Sequence, residues 1–108
     1  MKKNRILCLA ALPLAMLAVP ALAGDHVVSQ KGKAFSAAKM SVKVGESVTF
    51  VNDDPFAHNV FSLSDTKSFD LGSYGQGQSK TVQMDKPGVI EVECAVHPDM
   101  KMLIEVQK

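Results

Sequence analysis

Four side chains carry chemistry by type and spacing. Cys94, His97 and Met100 lie within seven residues, in the run Cys94-Ala95-Val96-His97-Pro98-Asp99-Met100, and His58 stands 36 residues before Cys94. One thiolate, two imidazoles and one thioether make the donor set of a mononuclear blue-copper centre. Soft sulfur suits Cu(I), and imidazole suits both oxidation states. A trigonal His₂Cys set with a weak axial Met distorts little between them, which favours rapid one-electron exchange. With four protein donors no position stays open for a substrate, so the expectation is a carrier and not an enzyme. Met102 stands two residues beyond Met100 and is a second candidate for the axial sulfur.

The elements that must position these donors read as short strands. Ile90, Val92 and Cys94 share one face by the period of two, opposite Glu91 and Glu93. The glutamates face water, so Cys94 faces the interior at the end of its strand. Met102, Ile104 and Val106 share a face in the same way, so Met100 is the preferred axial ligand. Further strands are expected over Met40–Val44, Val48–Val51, His58–Ser62 and Lys80–Met84, with weaker ones at His26–Ser29 and Lys33–Ala38. Asp85-Lys86-Pro87-Gly88 is a turn. Residues 64–78, polar and containing Gly72, Gly75 and Gly77, read as a long loop with a short pairing at Phe69–Leu71. Seven or eight short strands at this spacing predict an all-β antiparallel sandwich.

The front of the chain reads differently. Lys2, Lys3 and Arg5 precede an apolar run from Ile6 to Val19, then Pro20 and the small-residue site Ala21-Leu22-Ala23. This predicts a secretory signal peptide over 1–23, removed to leave a single domain over 24–108 that begins at Gly24. The apolar run falls short of the roughly 20 residues that span a bilayer, so no membrane attachment is expected after cleavage. Of 108 residues, 85 remain, with nine basic and eleven acidic side chains and a formal charge of −2. That balance argues against a nucleic-acid binder, and so small a core argues against an enzyme with a deep cleft. Cys8 leaves with the leader, and Cys94 has no partner for a disulfide. A domain this small usually needs a staple, and a metal is the leading one. A buried inert thiol, or a Cys94–His97 nucleophile pair, would use the same residues.

The motifs Phe56-Ala57-His58-Asn59-Val60 and Cys94-Ala95-Val96-His97-Pro98-Asp99-Met100 resemble those of the cupredoxins, in particular the small bacterial plastocyanin/amicyanin branch. The likeness runs from about Phe35 to the end and includes the Pro87-Gly88 turn. It implies a Greek-key β-sandwich and one copper ion, cycling between Cu(I) and Cu(II), at one end of it. It implies single-electron traffic between periplasmic redox proteins such as a cytochrome c or a dehydrogenase, met transiently by a monomer. It also implies that Asn59 hydrogen-bonds across to the ligand loop. Phe56 and Pro98 would then form an apolar rim about His97. The rival functions are copper trafficking or buffering, and an accessory role in an amine-oxidising system. His26 has no partner motif and is expected in solvent, and Asp53, Asp54 and Asp99 read as loop acids beside the ligand loops.

Overall fold

Eight strands account for most of residues 24–108, the part of the chain that the computed structural model describes: β1 (Asp25–Gln30), β2 (Lys39–Lys43), β3 (Ser47–Asn52), β4 (His58–Leu63), β5 (Ser68–Tyr74), β6 (Ser79–Gln83), β7 (Gly88–Glu93) and β8 (Lys101–Gln107). The expected leader over 1–23 lies outside the described residues. The strands form a three-stranded sheet, β1-β3-β6, and a five-stranded sheet, β2-β8-β7-β4-β5. The expected all-β sandwich is what the chain forms.

Alternation drives the layering. Val48 and Phe50 of β3, Val60 of β4, Ile90 and Val92 of β7, and Met102, Ile104 and Val106 of β8 all point inward and are buried. Their intervening neighbours are polar or partly exposed. Both sheets feed one apolar cluster, closed by Met84 and Val28. Burying such side chains contributes about 1.5–3 kcal/mol each. The two-residue period sets which face each strand buries, as the sequence implies for β7 and β8.

Three features depart from the sequence reading. The edge pairs β1–β3 and β2–β8 run parallel, so the sandwich is mixed and not purely antiparallel. The stretch expected as a loop with a short pairing at Phe69–Leu71 contains a longer strand, β5, which includes that pairing and joins β4 around an irregularity between Asn59 and Phe61. Gly72, at φ 75°, supplies a backbone turn that other residues resist, and Asp70 Oδ1 accepts its N–H at 2.9 Å. The weaker expectation at Lys33–Ala38 gives no strand, only an isolated bridge between Gln30 and Phe35. At the Pro87-Gly88 turn, Gly88 has φ 142°, and a Cβ there would stand 2.5 Å from Thr66 Oγ1. Only glycine satisfies both constraints.

Candidate metal centre

The site lies at the end of the sandwich where β3 leaves, β4 begins and β7 ends. His58 is the first residue of β4 and faces inward with no exposed surface. Cys94 follows directly after β7, on the inward face shared with Ile90 and Val92, and is 1% exposed. His97 sits on the following loop and keeps one edge towards solvent. Met100 closes the loop and is buried.

His58, Cys94 and His97 converge. Nδ1 of His58 lies 3.8 Å from Cys94 Sγ, and Nδ1 of His97 lies 3.9 Å from it. The two Nδ1 atoms are 3.1 Å apart. All three donor atoms fall within 4.8 Å of one another. Two nitrogens that share an ion at about 2 Å each would stand at about this separation. Hydrogen bonding settles what His58 presents. Its Nε2–H donates to Asp54 Oδ2 at 2.6 Å, so its Nδ1 carries a bare lone pair aimed at the other donors. Two imidazole nitrogens and a thiol sulfur turned toward one point, with no acid group among them, suit a soft cation. The residues fit a copper ion by number, type and direction.

The frame around the donors is rigid. The Cys94 N–H donates to Met100 O at 3.3 Å, and the Met100 N–H to His97 O at 2.9 Å, which closes the loop on itself. The Ala95 N–H donates to Asn59 Oδ1 at 2.7 Å, the cross-link that the likeness implies for Asn59. Asn52 braces the approach to His58. Its Nδ2 donates to Phe56 O and Tyr74 O, both at 2.9 Å, and its Oδ1 accepts the Asp54 N–H at 2.8 Å.

Asp54 is one of two residues, with His26, that sequence reasoning placed wrongly. It is buried, not a solvated loop acid. Burial alone would raise its carboxyl pKa. Hydrogen bonds from His58 Nε2 and from the backbone N–H groups of Gly32 and Lys33 outweigh that and bring it down to about 2. The carboxylate therefore stays ionised and acceptor-only, which orients the imidazole and fixes its tautomer. The signal was available in the four-residue spacing from Asp54 to His58, but Asn52-Asp53-Asp54-Pro55 reads first as a turn. Asp53 and Asp99 are exposed, as expected.

The two methionines separate. Met102 lies within β8, opposite Val92, among core side chains. Met100 stands at the loop end beside Cys94 and His97. Phe56 packs its ring 5.3 Å from that of His58 and 5.5 Å from that of His97. It is 39% exposed, and Val96 is 56% exposed, so an apolar rim surrounds the accessible edge of His97. Lys33 places its ammonium 5.8 Å from the Phe56 ring centre. A recess beside His97 is lined by Lys33, Val96, Pro98 and Asp99. Far from this end, His26 is not free in solvent as expected. Its Nε2–H donates to Glu46 Oε1 at 2.8 Å.

Comparison with known proteins agrees with the geometry. A family model described as copper binding proteins of the plastocyanin/azurin family matches residues 23–107. Plastocyanin of Ulva arasakii is 34% identical over 85 residues, which cover 68% of this chain and 87% of that protein. The methylamine utilization protein MauL of Methylorubrum extorquens is 26% identical over 97 residues, covering 89% of this chain and 85% of its own. The structure of a reduced mutant of amicyanin superposes with a TM-score of 0.72 at 23% identity, over 79% of this chain and 84% of that one.

Proposed function

This chain belongs to the plastocyanin/azurin family of copper-binding proteins, and from that premise we propose that it is a periplasmic type 1 copper protein that carries single electrons between redox partners. The observation that carries the reading is the convergence of His58 Nδ1, Cys94 Sγ and His97 Nδ1 within 4.8 Å at a buried strand end. A copper ion held there would supply a one-electron couple. His58, Cys94 and His97 would hold it, and Met100 would add the weak axial sulfur.

The protein's own residues account for the rest. Asp54, Asn52 and Asn59 hold the donors in one arrangement, so little has to move when charge changes. Burial of His58, Cys94 and Met100 keeps water from the donors. His97 alone among them reaches the surface, which makes its edge the electron port. Phe56, Val96 and Pro98 give a partner an apolar landing that binds briefly, as redox encounters do. The absence of a free coordination position on four protein donors supports a carrier and not an enzyme. Processing after Ala23 would deliver the domain to the periplasm as a monomer. The relation to a protein named for methylamine utilization supports redox partners in an amine-oxidising system; a dehydrogenase would be the electron donor and a cytochrome c the acceptor.

The test is the visible and EPR spectrum of the Cu(II)-loaded protein, followed by reduction and reoxidation. The expected result is an intense thiolate-to-copper band in the red and a narrow copper hyperfine splitting, both lost and restored over the cycle. Cys94→Ser should lose the band with the far-UV circular dichroism unchanged. A pale protein with ordinary tetragonal copper signals, or a Cys94→Ser variant that stays blue, would overturn the reading. Tight Cu(I) binding without reversible voltammetry would indicate trafficking instead.

A further inference from the structure

At the opposite end of the sandwich from His58, the chain enters its first strand as Gly24-Asp25-His26. We propose that these three residues form a second metal site, for square-planar Cu(II) or Ni(II), created when the leader is removed. The proposal rests on the reading that cleavage falls after Ala23, and it is independent of the type 1 centre.

The chemistry follows from the position of the histidine. With Gly24 first, its free amine, the amide nitrogens of Asp25 and His26, and the imidazole Nδ1 of His26 can close successive five- and six-membered chelate rings about one ion. Four nitrogens in a plane are the geometry that Cu(II) and Ni(II) prefer among divalent metals. Binding expels the proton of the ammonium group and those of both amides, so affinity rises with pH. A histidine one place earlier or later would not complete the set.

The structure adds a second observation. The Nε2–H of His26 donates to Glu46 Oε1 at 2.8 Å, and the same oxygen accepts the Lys43 N–H at 2.8 Å. An ionised carboxylate only accepts, so the proton of neutral His26 sits on Nε2 and the lone pair on Nδ1. Nδ1 is the nitrogen that the chelate requires, and a carboxylate on the far nitrogen is the usual support of a metal-binding imidazole. The site is also accessible. β1 is an edge strand, with β3 on one side only, and Asp25 is exposed. The pairing with β3 opposes binding, since Asp25 and His26 lie in register with Ser47 and Val48. The Ser47 N–H donates to Gly24 O at 2.9 Å, and an extended strand points successive amides to opposite sides. Chelation therefore peels Gly24–His26 from β3 and leaves the rest of β1 in place.

β1 carries the chain about 20 Å from Gly24 to Gln30, at about 3.3 Å per residue. Gln30 O accepts the Asp53 N–H at 2.9 Å, at the copper end of the molecule. The second site would therefore load without disturbing the first. The probe is Ni(II), added to the exported protein with its blue centre already filled, after intact mass has fixed the first residue. The expected result is one equivalent bound, with a weak visible band of square-planar Ni(II), release of protons, faster amide exchange at Ser47 and an unchanged blue band. His26→Ala, and a protein with one extra residue ahead of Gly24, should each lose the Ni(II) band and keep the blue one. A first residue other than Gly24 overturns the site together with the cleavage boundary. A confirmed Gly24 terminus with no Ni(II) band, or the same band in His26→Ala, overturns the site and leaves the boundary standing.

Discussion

The side chain of Asn59 accepts the Ala95 N–H at 2.7 Å, and each of these residues directly follows a donor, His58 and Cys94. One hydrogen bond thus ties together the two segments that carry the metal-facing side chains. Asn59→Ala should cost about 1 kcal/mol of stability, because it leaves the Ala95 N–H without its protein partner. It should also broaden the visible band, as the distance from His58 to Cys94 becomes less uniform. Thermal unfolding and the absorption spectrum check both effects.

Asp54 acts through His58. Asp54→Asn keeps the shape and removes the ionised acceptor, so the imidazole loses its fixed tautomer. Copper affinity should fall about 10–100-fold, the usual effect of losing such a support. Competition with a Cu(I) chelator reads this directly. Unchanged affinity would mean that loop packing alone orients His58.

The methionines give a paired test. Met100→Leu should shift the reduction potential upward and alter the spectrum, since a weak sulfur donor is lost while packing volume is kept. Met102→Leu should leave both unchanged and cost less than about 1.5 kcal/mol, as volume-conserving core exchanges do. Voltammetry of the two variants separates the roles, and the reverse pattern would assign the axial position to Met102.

Between the sheets, Tyr74 Oη donates to Gln30 Oε1 at 2.6 Å, while Gln30 Nε2 has no partner among the described residues. Burial pushes the tyrosine pKa well up, so the phenol stays protonated and remains a donor. Tyr74→Phe should cost about 1–2 kcal/mol, because it strands the amide oxygen as well. Adding Gln30→Met should recover much of that loss, since removing both partners of a buried pair is nearly neutral. Denaturant unfolding of the two single variants and the double variant measures the coupling.

Lys67 Nζ donates to Asp85 Oδ2 at 3.1 Å, joining the β4–β5 connection to the β6–β7 turn. That hydrogen bond holds the Asp85 carboxyl below its ordinary value of 3.8. A depressed folded value contributes stability above the ordinary pKa, and the contribution is lost as pH falls through the folded one. Lys67→Met should return the Asp85 titration towards the ordinary value and flatten the acid side of the stability profile slightly. Carboxyl NMR titration is the check. Both side chains meet water, so the effect is small.

The sequence made some elements easy to read and hid others. β7 and β8 were legible because Glu91, Glu93 and Glu105 alternate with apolar residues, and parity then turned Cys94 inward. The donors were legible because sulfur and imidazole at that spacing have few other uses. β5 was legible only at Phe69–Leu71, because Ser68, Asp70 and Ser73 are polar and Gly72 reads as a loop breaker when it serves an irregular pairing with β4. The parallel pairing of β2 with β8 was hidden because partner choice depends on how strands cross between layers, which local pattern does not record. Asp54 was hidden because a carboxylate in a turn is solvated by default, and only its three hydrogen bonds reverse that. His26 was hidden for the same reason, since Glu46 lies on another turn.

The pairing of β2 with β8 also sets an order in time. Met40 finds its partner at Ile104, near the far end of the chain. During synthesis or export β2 has no neighbour until the final strand emerges, and the loop bearing His97 and Met100 comes just before that strand. Contacts so distant in sequence slow folding, to milliseconds or longer in comparable β-proteins. The donor loop and the last sheet edge are therefore completed together, and a chain halted before Lys101 would expose an open edge beside the free thiol of Cys94.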